Sequence, residues 1–266
     1  MVDITKLPEN IASKIAGMKW ACDDIGMSKA TIMIFDAMAL KIEKTSRSSE
    51  YERNILGWLD GRLPAPRIIE AESRDGYSFL LMTKLPGEMA CSENSLRNIA
   101  DTVKALADGL KILWRVNAAD CPYINAVSDK IIQARFNIEN GLADASNFDP
   151  ETFEYYGFKG IYDLYDYLDK NRPAEDLVFS HGDYCLPNIF VSGRNITGFL
   201  DWGNGGVADR WQDIALCVRS LRHNMTDCGR YTEADIIEST KLLFHELDIV
   251  PDDDKIRYFT LLDELF

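Results

Sequence analysis

The chain has 266 residues, of which 46% are hydrophobic and 27% charged, the balance of a folded globular protein; disorder, collagen-like repeats and a coiled coil are excluded. With 29 basic and 43 acidic residues the formal net charge is −14, a field that repels nucleic acid and anionic membranes and attracts cations, although acidity of this size also serves solubility alone. No apolar run approaches the roughly 20 residues that span a bilayer. The start, Met1-Val2-Asp3-Ile4-Thr5-Lys6, lacks the apolar core of a signal peptide. The six cysteines are scattered without a C-x-x-C pair, which argues against a zinc site or a disulfide framework and for a reducing cytoplasm.

Taken in chain order, a helix is predicted over 8–16, with Ile11 and Ile15 on one face and Gly17 as its stop. Two β-like runs follow at 20–25 and 31–43, the second broken near Asp36-Ala37, with a turn at 26–30 between them. A helix starts at Ser49, runs to Leu59 and stops at Gly61, after which Pro64 and Pro66 extend the chain. Strands at 67–71 and 77–82 join through Asp75-Gly76, a strong hairpin signal. After Lys84-Leu85-Pro86-Gly87 the texture changes: Val103, Leu106, Leu110, Leu113 and Trp114 recur at three- and four-residue steps and lie on one helical face. Further helices are predicted at 126–139, 160–169, 208–222, 233–247 and 253–265, and an acidic stretch occupies 143–157. Short strands at 177–180, 189–191 and 196–200 surround one loop. The chain therefore divides into a β-rich part, 1–83, and a mainly helical part, 84–266, an α+β arrangement.

That loop reads His181-Gly182-Asp183-Tyr184-Cys185-Leu186-Pro187-Asn188, and the strand hairpin after it ends in Asp201-Trp202-Gly203. Phosphoryl transfer needs one carboxylate to orient the attacking hydroxyl, and an amide oxygen and a second carboxylate to hold magnesium against the phosphates. H-x-D-x-x-x-x-N followed by strand, turn, strand and D-x-G supplies all three; the competing reading is a surface hairpin with polar turns. His181 reads as a structural residue bonded to nearby backbone, not as a base.

The same residues carry a resemblance. Ser180 to Phe190, Gly198-Phe199-Leu200-Asp201, Val207 to Ala215, Trp58 to Pro66, Gly26-Met27-Ser28 and the ending Leu261-Leu262-Asp263-Glu264-Leu265-Phe266 are similar, in the same order, to the aminoglycoside 3′-phosphotransferase family. The resemblance implies a protein-kinase-like two-lobe fold: an N-terminal antiparallel sheet with helices, which binds the nucleotide, and a larger mainly helical C-terminal lobe with the catalytic loop and the aminoglycoside site. It implies that Asp183 is the catalytic carboxylate, that Asn188 and Asp201 are magnesium ligands, that Lys41 grips the α- and β-phosphates of ATP or GTP with Glu52 as its ion-pair partner, and that Ser28 covers the terminal phosphates. Taken alone, Ser49-Glu50-Tyr51-Glu52 also fits a capping box, and Lys41 a solvated strand lysine. A cationic drug requires carboxylates, and the resemblance points to Asp149, Glu151 and Glu154, to Asp263 and Glu264, and to the terminal carboxylate of Phe266; Arg219 matches a family arginine near the catalytic carboxylate.

The chain also departs from the family pattern. Asn204 replaces the arginine usual after D-x-G, His223-Asn224 stand where relatives carry acidic residues, and Ala39 stands where an aromatic ring often covers the base. Cys185 reads as a packing residue. The expected function is magnesium-dependent transfer of a nucleotide γ-phosphoryl group to the 3′-hydroxyl of kanamycin- or neomycin-type antibiotics, conferring resistance, by a cytoplasmic monomer or weak dimer that binds neither nucleic acid nor membrane. The rivals are a kinase of the same architecture for choline, homoserine, a macrolide or a ketosamine, a protein kinase, and a nucleotide-binding module without catalysis.

Overall fold

The computed structural model describes residues 7–22, 30–143, 148 and 156–266. The first helix, α1 (Glu9–Ile15), packs under an antiparallel sheet of order β1-β2-β3-β5-β4, formed by Ala21–Cys22, Thr31–Ile34, Met38–Lys44, Ile68–Arg74 (β4) and Tyr77–Thr83 (β5). Alternation along the strands decides what each face carries. Leu40 and Ile42 of β3 join Phe79 and Leu81 of β5 against Ile11 and Ile15 of α1. Lys41 therefore turns to the opposite face, beside its cross-strand partner Leu80. The β4–β5 turn is made as expected at Asp75 and Gly76, both left-handed with φ of 51° and 78°.

Helix α2 (Arg47–Leu59) covers the Lys41 face of the sheet. It starts two residues before the predicted Ser49. Ser46 is the N-cap and closes a capping box with Ser49: the Ser49 N–H donates to Ser46 Oγ at 3.1 Å, and the Ser46 N–H donates to Ser49 Oγ at 2.9 Å. The box that Ser49 and Glu52 could have formed does not exist, so the Glu52 carboxylate is left for another partner.

Beyond Thr83 the structure is mainly helical: α3 (Glu93–Arg97), α4 (Ile99–Trp114), α5 (Val127–Glu139), α6 (Ile161–Lys170), α7 (Arg210–Asp227), α8 (Glu233–Leu247) and α9 (Asp253–Asp263). The predicted face of α4 is the centre of the core, with Val103, Leu106, Leu110 and Leu113 fully buried; the burial of each such side chain contributes about 1.5–3 kcal/mol. This core is continuous with Ile55, Leu56 and Leu59 of α2 and with Leu80 and Met82 of β5. Two small sheets carry the predicted loop: β7 (Leu177–Ser180) pairs with β10 (Gly206–Asp209), and β8 (Ile189–Ser192) lies between β6 (Glu88–Met89) and β9 (Asn195–Phe199). The helix expected from residue 208 begins at Arg210, because Ala208 and Asp209 finish β10 opposite Val178 and Leu177. Asp209 then caps the helix, its carboxylate accepting the Trp211 N–H at 2.8 Å. Among the described residues no helix is long and apolar enough to cross a membrane.

Gly109, inside α4, reverses an ordinary rule. A helical Gly→Ala change normally stabilises by about 0.5–1 kcal/mol. Here an added Cβ would stand 2.1 Å from Tyr184 Oη. That hydroxyl cannot yield, because Tyr184 is fully buried and donates to the Leu106 carbonyl at 2.8 Å. Gly109→Ala is expected to lower the unfolding free energy by about 2 kcal/mol, as overpacking does; a denaturant midpoint equal to or above that of the unsubstituted chain would contradict it.

Candidate active site

Three elements converge where the sheet meets the helical part. From β3, Lys41 Nζ donates to Glu52 Oε2 of α2 at 2.7 Å and lies 3.5 Å from Glu43 Oε1. The Lys41 and Glu52 side chains are only 13% and 6% exposed, so solvent screens the pair little. Burial acts to lower the Lys41 pKa, but the Glu52 carboxylate, then Asp201 and Glu43, hold it above the ordinary lysine range. Burial pushes Glu52 up, and the lysine opposes it.

The second element is the loop between β7 and β8. Gly182 is left-handed, φ 82°. Asp213 of α7, fully buried, anchors the loop backbone: its carboxylate accepts the N–H of His181 at 2.7 Å and of Gly182 at 2.9 Å. Burial pushes the Asp213 carboxyl up, while His181 and these N–H donors pull the other way. Gln212 adds a bond from Nε2 to the Gly182 carbonyl at 2.9 Å. The Asp183 N–H donates to His181 Nδ1 at 3.3 Å, and His181 Nε2 lies 2.9 Å from the Leu200 carbonyl, which requires the tautomer with its proton on Nε2. His181 is thus a buried structural residue, as its sequence context indicated. Asp183 itself is only partly buried. Asn188 Nδ2 donates to both the Asp183 carbonyl, at 3.0 Å, and Asp183 Oδ2, at 2.9 Å, which locks the two side chains together.

The third element is Asp201, two residues beyond the end of β9. It is left-handed, φ 60°, a conformation that costs a residue with a Cβ about 1–3 kcal/mol and that collects at functional sites. The Leu200 N–H donates to the Asn188 carbonyl at 2.8 Å, so Asp201 follows directly on the residue bonded to Asn188. The donor set suits magnesium: the Asn188 amide spends its nitrogen on Asp183 and keeps its oxygen, and the Asp201 carboxylate is exposed. Among the described residues no group of three or more His, Cys, Asp or Glu is assembled to hold a metal. An amide and one carboxylate are what a magnesium ion completed by phosphates and water requires, and a cation cage would not be.

Arg219 of α7 donates to Asp263 at the end of α9, beside Cys185 and Glu264. The Cys185 thiol is pushed far up by burial and then by Asp183, which leaves it protonated. Phe266 is 43% exposed. Ser28, Asp149, Glu151 and Glu154 lie outside the described residues.

The sequence of the site has relatives. A model of the phosphotransferase enzyme family matches residues 36–232. An aminoglycoside 3′-phosphotransferase of Enterococcus faecalis is 37% identical over 226 residues, which is 84% of this chain and 80% of that protein. The chain belongs to the aminoglycoside 3′-phosphotransferase family. Solved structures agree on the kinase-like fold. The aminoglycoside-3′-phosphotransferase of type VIII superimposes with a TM-score of 0.79 at 24% identity, covering 97% of both chains. Aminoglycoside phosphotransferase APH(3″)-Id from Streptomyces rimosus, in complex with ADP and streptomycin, gives 0.79 at 21% identity over 100% of this chain and 99% of that one.

As a member of the aminoglycoside 3′-phosphotransferase family the chain is a kinase-type enzyme, and its departures can be placed. The Asn204 side chain is exposed, and its carbonyl faces Gly182 of the loop between β7 and β8. His223 Nε2 lies 3.1 Å from Asp227 on the exposed side of α7, and Asn224 Nδ2 donates to the Ser220 carbonyl. Ala39 packs against the main core. Two residues of the site were missed in the sequence. Asp213 stood inside a recognised segment, but nothing local said that its carboxylate would hold the loop at His181 and Gly182. Lys130 of α5 is 9% exposed, with Nζ 4.7 Å from the centre of the Phe266 ring. Burial lowers its pKa, against Asp263, Asp213 and Asp183. Its signal was available: Val127, Lys130, Ile131, Ala134 and Asn137 recur at helical spacing on the buried face of α5.

Proposed function

We propose that this enzyme transfers the γ-phosphoryl group of ATP or GTP to the 3′-hydroxyl of a kanamycin- or neomycin-type aminoglycoside. The observation that carries the reading is the pair of bonds from Asn188 to the half-buried Asp183, with Asp201 one residue beyond the Leu200 N–H that Asn188 holds and close enough to act on the Lys41–Glu52 pair. Lys41 grips the donor phosphates, held in place by Glu52. Asn188 Oδ1 and the Asp201 carboxylate would hold magnesium, which would supply positive charge against the donor phosphates. Asp183 orients the acceptor hydroxyl and takes its proton as the oxygen bonds to the γ-phosphorus, while the bond from that phosphorus to the bridging oxygen breaks and a nucleoside diphosphate leaves. In a loose transition state positioning and charge neutralisation supply most of the acceleration. On the acceptor side, Asp263 and Glu264, with Asp149, Glu151, Glu154 and the Phe266 carboxylate, would dock the drug's ammonium groups, and Arg219 would fix Asp263. The added phosphate weakens the drug's hold on anionic ribosomal RNA, which makes this a resistance enzyme. Consumption of a nucleoside triphosphate fits a cytoplasmic location.

The test is release of ADP or GDP in a coupled assay with magnesium and a panel of kanamycin, neomycin, ribostamycin and lividomycin. Kanamycin and neomycin should stimulate turnover, and lividomycin, which lacks the 3′-hydroxyl, should not. Stimulation by lividomycin would move the attack to another hydroxyl. Stimulation by choline, homoserine or a macrolide in place of any aminoglycoside would sink the reading.

A further inference from the structure

A closed set of hydrogen bonds joins α2 to the segment after Asp201. Tyr51 Oη donates to the Gly205 carbonyl at 2.6 Å and accepts from Asn125 Nδ2 at 2.8 Å. The second Nδ2 proton of Asn125 goes to the preceding carbonyl, that of Asn204, at 2.9 Å. Two successive carbonyls of the 201–205 segment are thus held by one hydroxyl and one amide that are bonded to each other, and every donor in the set is used. The Tyr51 ring stacks on Tyr123 at 3.6 Å between centroids, 17° between planes, which fixes the direction of its hydroxyl. Burial pushes the Tyr51 phenol up, so it stays a donor across the working pH range.

The set touches all three elements of the site. Tyr51 is the residue before Glu52, so the helix turn that presents the carboxylate to Lys41 also presents this hydroxyl. The 201–205 segment begins with the left-handed Asp201 and would relax without restraint. The Asn204 carbonyl held by Asn125 also packs on Gly182, where a Cβ would stand 2.0 Å away.

We propose that Tyr51, with Asn125, is a positioning residue that couples the Lys41–Glu52 pair to Asp201, so that phosphate grip and metal ligation are set together. The inference rests on the phosphotransfer reading. Tyr51→Phe keeps the ring stack and removes both bonds of the hydroxyl. The expected result is a fall in kcat of about tenfold, on the order of what the loss of two part-buried hydrogen bonds from a positioning group costs, a higher magnesium concentration at half-saturation, and an unchanged aminoglycoside KM. Asn125→Ala should do the same, and the double variant should be no worse than either single one, because each breaks one shared device. Asn54→Ala is the control: it removes a bond from the same helix to Tyr123 Oη at 3.2 Å that does not reach the 201–205 segment, and should leave these values unchanged.

A second readout needs no turnover. The rise in melting temperature produced by magnesium with a non-hydrolysable nucleotide should shrink in Tyr51→Phe and Asn125→Ala and persist in Asn54→Ala. Lower stability of Tyr51→Phe with unchanged kcat, magnesium dependence and nucleotide-induced shift would overturn the proposal and leave Tyr51 a packing residue. If the unsubstituted enzyme turns over no aminoglycoside, the phosphotransfer reading fails separately, and the nucleotide-induced shift still decides the coupling.

Discussion

Asp183→Asn is expected to lower kcat by about 10³-fold, within the range for loss of a positioned proton acceptor, with nucleotide affinity held within about threefold. The substitution keeps size and shape, and an amide oxygen can still accept from Asn188 Nδ2, which holds Asp183 Oδ2 at 2.9 Å. The loop backbone depends on other atoms, the Asp213 carboxylate and Gln212, so the loop should keep its form. What is lost is the carboxylate's capacity to take a proton. Steady-state turnover with kanamycin, beside calorimetric titration of the nucleotide, separates the two. Turnover within tenfold of the unsubstituted enzyme would mean that positioning alone carries the reaction and that Asp183 is not its proton acceptor.

Gly182→Ala is expected to be nearly as damaging by a different route. The position is left-handed, φ 82°, which costs a residue with a Cβ about 1–2 kcal/mol. The new Cβ would also stand 2.0 Å from the Asn204 carbonyl oxygen and 2.6 Å from its carbon, and backbone cannot swing aside as a side-chain tip can. Either the catalytic loop or the segment after Asp201 must move. A shift near 1 Å at a catalytic group lowers rate by about 10²-fold, so kcat should fall by at least about that factor, with about 3 kcal/mol lost from the unfolding free energy. Turnover and a denaturant melt on the same preparation read both. Normal kcat in Gly182→Ala would show that the contact between loop and segment does not position Asp183.

The residues of these two predictions differ in how they could be found. Asp183, Asn188 and Asp201 lie in order along one strand–loop–hairpin, and turn and strand signals close together in sequence place them within reach of each other. Lys41 was legible too, because period-2 alternation puts it on the face opposite Leu40 and Ile42. The Asp75-Gly76 hairpin and the buried stripe of α4 followed from the same local rules. Family likeness carried the roles, which no periodicity states.

Tertiary structure decided the rest. Glu52 had two readings, cap or ion pair, and the choice fell to Ser46, which took the cap and freed the carboxylate for a lysine 11 residues away. Asp213 holds a backbone N–H 32 residues before it, Asn137 Nδ2 reaches the Leu265 carbonyl across 128, and Tyr51 reaches Gly205 across 154. No local propensity encodes such partners. What the chain settles by itself is which side chains share a face and where the backbone turns, because those depend on neighbours a few residues away. Which polar groups meet depends on how helices and sheets pack, since a buried donor or carboxylate left alone is costly and only the packed arrangement says what stands opposite it.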